Sequence, residues 1–215
     1  MMEIEAKFSV PDDTLFSKYS KCDRIGEFFL DEVVINHVVD NYLDTIDDDI
    51  WNSGYKMRVR ESEGHNYITI KSAISTHSRF SIRDEIEFEL YCDSDNIHQW
   101  SNQHAADLIN PIVKGKSLNV KVELKQRRNL RNVLLDGCCI GLLSLDEVAV
   151  YYGGKQLDDF RVLEVEICGA DKLFALDEIS SHLVSDGLLI QDVAKISRAI
   201  AAVNKFRQGI GENVA

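Results

Sequence analysis

Proline, glycine and long apolar runs are all scarce in this sequence. The chain of 215 residues has two prolines and 12 glycines, which argues against long disordered linkers. No apolar run approaches the roughly 20 residues that a membrane-spanning helix needs. Charged residues occur within the first few positions, which is unlike a secretory signal, so we expect a cytoplasmic protein.

Cysteine is present, but not in a pattern that indicates a metal site or a disulfide framework. The five residues are odd in number and irregularly spaced, and no two form a C-x-x-C pair. We therefore expect reduced thiols that are mostly buried as small apolar side chains. Strand packing would account for the adjacent pair Cys138 and Cys139 without a redox role. The five are Cys22, Cys92, Cys138, Cys139 and Cys168.

Positive charge is in the minority. The chain has 24 Lys and Arg against 36 Asp and Glu, so its formal net charge is -12 and its pI is about 4.9. A surface of this sign repels nucleic acid and anionic lipid, and we expect neither as a partner. A polyanionic small molecule could bind only in a local pocket of basic side chains.

Alternation of apolar and polar residues with a period of two dominates the sequence and predicts half-buried strands. About eight such segments follow one another with short turns, which favours an α+β protein built on an antiparallel sheet or barrel. No natural break divides the chain, so we expect a single domain over residues 1–215. Helices are predicted over residues 11–23, 93–110, 171–187 and 191–206, the second of them ending before Pro111.

The polar faces of the predicted strands are composed almost entirely of Lys, Arg and Glu. In the first strand, Glu3, Glu5 and Lys7 share one face and apolar residues take the other. A single strand of this kind is explained by a solvent-exposed face. Eight in succession favour a closed barrel whose charged faces turn inward, while helices cover its apolar outside. Burying so many charges is costly unless they pair with one another and with a ligand, so the lumen is a candidate functional site.

Two sets of side chains would meet in such a lumen. The carboxylates are hard oxygen ligands suited to Mg²⁺ or Mn²⁺, and they are Glu3, Glu5, Glu85, Glu87, Asp146, Glu164 and Glu166. The basic side chains suit phosphate groups, and they are Lys7, Lys56, Arg58, Arg60, Lys71, Arg83, Lys125 and Arg127. Together they indicate a site for a polyphosphate carried by a divalent cation. The sequence has no G-x-x-x-x-G-K-[ST] loop, so side chains would have to hold the phosphates.

The segment EIEAK at residues 3–7 resembles the E-x-E-x-K signature of the CYTH domains, also called triphosphate tunnel metalloenzymes. Further segments match this family in the same order, up to about residue 200: YLDT, GYKMRVR, ITIKSA, RDEIEFEL, KQRRN, LSLDEVAV, LEVEI and VAKISRA. The resemblance implies an eight-stranded antiparallel β-barrel whose tunnel binds a triphosphate with one or two divalent metal ions, Mg²⁺ or Mn²⁺.

The resemblance also implies roles for individual residues. Metal ions would be held by Glu3, Glu5, Asp146, Glu164 and Glu166. Phosphates would be bound by Lys7, Arg58, Arg60, Lys71, Arg83, Arg127 and the late lysine Lys195, and the strand alternation adds Lys56 and Lys125. The proton of an attacking water could pass to Lys71, Glu85 or Glu87, and the sequence does not decide among them.

The expected activity is metal-dependent hydrolysis of inorganic triphosphate, or of a broad range of organic triphosphates, with release of orthophosphate. One alternative is an adenylyl cyclase that converts ATP to cyclic AMP and pyrophosphate. A second is a non-enzymatic module that binds polyphosphate or nucleotide. The expected partner is a triphosphate-containing small molecule, and the protein would be a monomer or homodimer. Thiamine triphosphate as the specific substrate would favour an aromatic clamp. The candidates for it are Trp51, Tyr55, Trp100, Tyr151 and Tyr152, although we expect all of them to serve packing.

Overall fold

The computed structural model describes residues 2–72, 75–77, 80–94, 96–191 and 193–212. Twelve strands are assigned in these ranges: β1 (Met2–Ser9), β2 (Arg24–Ile25), β3 (Phe28–Leu30), β4 (Val34–Asp44), β5 (Tyr55–Ser62), β6 (His65–Ser72), β7 (Ser75–His77), β8 (Phe80–Glu89), β9 (Asn119–Leu135), β10 (Cys138–Tyr152), β11 (Lys155–Ile167) and β12 (Leu189–Ile190).

The helices of the described residues are α1 (Asp13–Lys21), α2 (Asp49–Asn52), α3 (Gln103–Val113), α4 (Leu173–Ser185) and α5 (Lys195–Glu212). Short 3₁₀ turns at Ile97–Gln99 and Ala170–Lys172 precede α3 and α4. Within the described part of the chain, none of these helices combines the length and the apolar character needed to cross a membrane.

Eight of the strands close into an antiparallel barrel. Going round it, the order is β10, β11, β1, β8, β6, β5, β4 and β9, and β9 pairs again with β10. The four short strands extend this sheet, with β12 on β1, β7 on β8, β3 on β9 and β2 on β3. The predicted fold class, an α+β protein with an eight-stranded antiparallel barrel and flanking helices, is confirmed.

Apolar residues on the outer face of the barrel pack against helices, as the alternation predicts. Ile4 and Phe8 of β1 belong to a cluster with Leu176 and Leu183 of α4 and with Tyr19 of α1. A second cluster joins the outer faces of β5 and β6 to α3. Full burial of an Ile, Leu or Phe side chain contributes about 1.5–3 kcal/mol, so these contacts fix which face of each strand turns outward.

The fifth helix packs differently, because it lies against the inner face of the barrel at one end. Val122 and Leu124 of β9 alternate in phase with the inward residues of that strand, and they contact Ala199 and Val203 of α5. Val148, Val150 and Phe160 of β10 and β11 complete this cluster. The lumen is therefore apolar where α5 fills it, and charged residues line it elsewhere.

The start of α3 and the burial of the cysteines differ from the sequence predictions. α3 begins after its N-cap Asn102, whose side chain accepts a hydrogen bond from the Ala105 amide at 3.1 Å, and it continues through Pro111 to Val113. Pro111 lies near the end of the helix, where the loss of one backbone donor costs little. The expectation of mostly buried thiols is wrong. Cys138, Cys139 and Cys168 are exposed at strand ends, and the other two are half-buried.

Candidate active site in the barrel

The barrel encloses a cavity of about 800 Å³, which we call the tunnel. Inward positions of neighbouring strands lie opposite one another; for example, Glu5 pairs with Glu166 and Lys7 pairs with Glu164 across β1 and β11. The charged side chains that line the tunnel are Glu3, Glu5, Lys7, Lys56, Arg58, Arg60, Lys71, Arg83, Glu85, Glu87, Arg128, Glu164, Glu166 and Lys195. The predicted inward turn of the charged strand faces thus holds for most of the barrel.

One group of ion pairs links β1 with β6 and β8. Arg83 donates from Nε to Glu3 Oε2 at 2.5 Å and from Nη2 to Glu5 Oε1. Lys71 Nζ lies 2.7 Å from Glu3 Oε1 and 3.0 Å from Glu85 Oε2. Carboxylates and cations therefore alternate on this wall, and each partly neutralises the next.

A second group surrounds Asp146, which is fully buried and shares the inner face of β10 with Ser144. Arg128 Nε lies 3.2 Å and 3.1 Å from its two carboxylate oxygens, and Arg128 also donates to Ser144 Oγ at 2.8 Å. Lys195, the first residue of α5, contacts Asp146 and lies 2.8 Å from Glu164 Oε2. The helix that fills the apolar end of the lumen thus also supplies a cation to the tunnel.

A third group is centred on Asp40 of β4, which is also fully buried. Arg60 donates to its two oxygens at 2.6 Å and 2.7 Å, and Arg58 donates at 3.1 Å. Gln126 Nε2 adds a further hydrogen bond at 2.7 Å. Although burial opposes ionisation, Arg58 and Arg60 hold the pKa of Asp40 well below its usual range. Asp40 therefore fixes two guanidinium groups at the tunnel wall.

Two predicted phosphate-binding residues, Lys125 and Arg127, lie on the outside of the barrel. Lys125 stacks 4.6 Å from the Tyr151 ring, and Arg127 Nη1 lies 3.3 Å from Glu147 Oε2. Because Leu124 faces the lumen to contact α5, the residues of β9 that face inward further along are Gln126 and Arg128. The prediction that Lys125 and Arg127 line the tunnel is wrong, because the inward-facing positions of β9 are shifted by one residue from the predicted ones.

Other tunnel residues were missed by the sequence analysis. The segment KQRRN contains Arg128, but the prediction selected its neighbour Arg127. Asp40 lies opposite Arg60 in the strand pairing, and this pairing is what indicates its role. Thr69, Asn102 and His104 also line the tunnel. Asn102 and His104 come from the start of α3, for which the alternation of strands gives no signal.

The geometry agrees with the result of comparison with known proteins. A family model described as the CYTH domain matches residues 1–200. The chain belongs to the CYTH family. This confirms the resemblance found in the sequence motifs. The comparison with curated protein sequences gives no match.

Solved structures of similar fold include proteins described as cyclases. An adenylyl cyclase candidate from Hippeastrum with a dominant triphosphatase activity is 17% identical, with 93% of this chain and 95% of that chain covered and a TM-score of 0.69. An adenylate cyclase candidate from Bacillus halodurans is 18% identical over 91% and 96% of the two chains, with a TM-score of 0.59. A protein from Pyrococcus horikoshii is 16% identical over 93% and 98%, with a TM-score of 0.55. At these identities the likeness shows the fold alone.

The carboxylates of this CYTH tunnel differ in protonation. Burial opposes ionisation of Glu3, but Lys71 and Arg83 outweigh it and lower its pKa to about 2. Glu164 is likewise held well below its usual pKa range by Lys195, Lys7 and Arg128, against the effect of burial. The pKa of Glu166 moves the other way, to about 7, because of burial and because Glu3, Glu5 and Glu85 place negative charge beside it.

The donor chemistry of the CYTH tunnel fits a hard divalent cation. No group of three or more His, Cys, Asp or Glu side chains in the described ranges is already arranged around a metal position. However, Glu166 has the negative charges of Glu3, Glu5 and Glu85 beside it, which add to the effect of burial in raising its pKa, and a cation there would offset that charge. Asp146 fits less well, because Lys195 and Arg128 enclose it.

A smaller cavity of about 260 Å³ adjoins the CYTH tunnel and shares Tyr42, Lys56 and Ile196 with it. Trp51 and Tyr55 line this second cavity. Lys56 Nζ lies 4.5 Å from the centre of the Trp51 ring, and no carboxylate of a described residue forms a salt bridge with Lys56. The junction of the two cavities therefore carries a cation that no carboxylate of the described ranges pairs with. The other aromatic candidates serve packing, as with Trp100, which is buried against Phe88.

Proposed function

We propose that this CYTH protein hydrolyses a triphosphate in a reaction that depends on a divalent metal ion, with release of orthophosphate. The observation that carries the proposal is the tunnel itself, in which eight cations and six carboxylates share one cavity with room for a polyphosphate. The Hippeastrum protein is described as having a dominant triphosphatase activity, which supports assigning the same reaction class here.

The basic side chains would bind and orient the phosphates. Arg58 and Arg60 can present guanidinium edges to phosphate oxygens while Asp40 keeps them in place. Lys56 adds a charge that is not neutralised by a described carboxylate. Electrostatic stabilisation by fixed donors is the largest contribution in phosphoryl transfer, so most of the rate enhancement is assigned to this set.

Glu3, Glu5 and Glu166 would hold the metal ion, Mg²⁺ or Mn²⁺, with Glu164 beside them. When bound, such an ion supplies charge neutralisation at the phosphate oxygens and orients the attacking water. Asp146 is assigned a positioning role in place of the ligand role that the resemblance implied, because it anchors Lys195 and Arg128.

The candidate acceptors of the water proton are Lys71, Glu85 and Glu87. Lys71 Nζ lies 3.0 Å from Glu85 Oε2 and 2.7 Å from Glu3 Oε1, so Lys71 and Glu85 are already engaged with each other in an ion pair. Glu87 accepts a hydrogen bond from Thr69 Oγ1 at 2.8 Å and is exposed to the tunnel. We therefore assign the acceptor role to Glu87.

The second cavity favours organic triphosphates among the substrates. Its aromatic lining lies next to Lys56, so a ring attached to the triphosphate could lie beside Trp51 while the phosphates extend into the tunnel. The same cavity supports adenylyl cyclase as the second candidate function, because that reaction also needs a place for the base of ATP.

The test is product analysis of the purified protein with Mg²⁺ or Mn²⁺ and, in parallel, inorganic triphosphate, ATP and thiamine triphosphate. Metal-dependent release of orthophosphate that is lost in Glu5→Gln supports the proposal, and that variant excludes a contaminating enzyme. Formation of cyclic AMP and pyrophosphate would replace it by the cyclase reaction. Triphosphate binding without turnover of any of the three would indicate a non-enzymatic binding module.

A further inference from the structure

Two exposed cysteines meet where β10 begins and β11 ends. The amide of Cys168 donates to the carbonyl of Ile140 at 3.0 Å, so the two strand ends are held together at this point. Cys139 precedes Ile140 and lies on the adjacent strand. The Cys139 thiol lies beside the Cys168 thiol and donates to the Gly141 carbonyl oxygen at 3.5 Å. Both residues are exposed, so small molecules can reach them.

A bulge in β10 places these two thiols on the same face of the sheet. Cys139 pairs with Leu134 and Gly141 pairs with Val133, which leaves Ile140 as the extra residue. Ile140 is buried in the outer cluster that also contains Val133. Because a bulge interrupts the alternation, Cys139 turns to the inner face, the face of Leu142 in the tunnel lining.

Cys168 reaches the same face by ordinary alternation. It lies two residues beyond Glu166, which lines the tunnel. The strands approach closely here, since a Cβ on Gly141 would lie 2.3 Å from the Glu166 carbonyl oxygen. The absence of a side chain at Gly141 therefore allows the backbones, and with them the two thiols, to come together.

We propose that Cys139 and Cys168 form a modification site, at which a low-molecular-weight disulfide such as oxidised glutathione converts the two thiols into a reversible intramolecular disulfide. The site lies at the edge of the tunnel beside Glu166. It is independent of the reaction assigned to the tunnel, and its test does not depend on that reaction.

The chemistry is two successive thiol–disulfide exchanges. The Cys139 thiolate attacks one sulfur of oxidised glutathione, a mixed disulfide forms, and one glutathione leaves and takes up the proton released by Cys139. The Cys168 thiolate then attacks the Cys139 sulfur, which releases the second glutathione with the Cys168 proton. Two protein thiols are oxidised, and one glutathione disulfide is reduced to two thiols.

The two thiols can also react in the reverse order, because both are exposed to solvent. Whichever thiolate attacks the oxidised glutathione first, the other acts as the resolving residue, and the products are the same.

The test uses the full-length reduced protein in glutathione buffers with a rising share of the oxidised form, followed by alkylation and mass spectrometry of the peptides. The expected result is a species that has lost two hydrogen atoms, with a peptide linking Cys139 to Cys168, and full recovery of both thiols in reduced glutathione. Cys138→Ser is the matched control, because Cys138 is adjacent and exposed but lies on the other face; the linked peptide should persist in it.

Single variants sharpen the test. Cys139→Ser and Cys168→Ser should abolish the linked peptide and leave a glutathione adduct on the remaining cysteine, while thermal melting checks that each variant is folded. The proposal is overturned if the link joins Cys138, if the wild type accumulates only glutathione adducts, or if all five thiols remain open to alkylation in oxidised buffer.

Discussion

The two ends of the barrel lumen are built from the same strands but differ in their side chains, which are apolar at one end and charged at the other. At one end, Leu124 and Val148 pack with apolar residues of α5. In the tunnel beyond, inward positions on the same strands carry Arg128 and Asp146. The inner face of one strand can therefore change within a few residues from apolar core to charged candidate site. Which of the two it is depends on whether a helix or a ligand occupies that part of the lumen.

The largest loss of stability is expected when Asp40, which pairs with Arg58 and Arg60 at the tunnel wall, is removed. Asp40→Ala leaves Arg58 and Arg60 close together without their shared carboxylate, and we expect the free energy of unfolding to fall by about 3–5 kcal/mol. Urea denaturation measures this. Asp158→Ala is the control, because it removes the partly exposed Asp158–Arg198 pair and a hydrogen bond from the Asp159 amide, and it should cost about 0–1 kcal/mol. Equal, small losses would mean that water satisfies the two arginines as well as Asp40 does.

Adjacent arginines on β9 test which face of that strand enters the tunnel. If the protein is a triphosphatase, Arg128→Ala should lower kcat by about 10²–10³-fold, because a fixed donor is lost from the site. Arg127→Ala removes the same side chain from the outer face and should leave kcat within about twofold. The reverse pattern would mean that the register of β9 in the working enzyme differs by one residue.

A smaller effect is expected at the apolar end. Val203→Ala removes two methyl groups from a buried site, at about 0.8 kcal/mol each plus a contribution from the cavity, so stability should fall by about 2 kcal/mol. Val184 of α4 is a helical valine that is exposed, and Val184→Ala should change stability by about 0.5 kcal/mol or less. Triphosphate affinity should be unchanged in both, and a loss of affinity in Val203→Ala would show that the two ends are coupled.

A weak pH dependence is expected at Glu166, because this side chain is exposed in the tunnel and solvent screens its charge. Its pKa rises from an ordinary value of 4.5 to about 7 in the folded protein, chiefly through burial and Glu3. The folded state thus binds this proton more tightly than the unfolded chain, and stability falls as the pH rises from about 4.5 to 7. Glu166→Gln should remove that part of the slope in urea denaturation at a series of pH values. Parallel curves for variant and wild type would contradict the assignment.

Much of the barrel could be predicted because one physical signal repeats. Alternation with a period of two shows in almost every strand, and the apolar face must be buried whatever the details of pairing. The charged faces of β1, β5 and β8 follow directly from it, as Glu5, Arg58 and Arg83 in the tunnel illustrate.

The phase of β9 could not be predicted in this way. The segment KVELKQRRN ends in consecutive polar residues, so its alternation does not show which of them face into the barrel. The choice is made by α5, which is distant in sequence and requires Val122 and Leu124 to face inward. The exposure of Cys139 was missed for a related reason, because the bulge at Ile140 depends on the partner strand.

The pairing of β1 has a kinetic consequence. This strand lies between β8 and β11, and its Glu5 faces Glu166 from nearly the opposite end of the chain. Contacts of such high sequence separation form slowly, because the entropy of closing a long loop must be overcome before any contact compensates for it. The barrel can close only after β11 has joined β1, so Glu3, Glu5 and Glu166 come together late in folding. We expect ligand-binding competence to appear with the slowest folding phase, while the helical signal appears earlier.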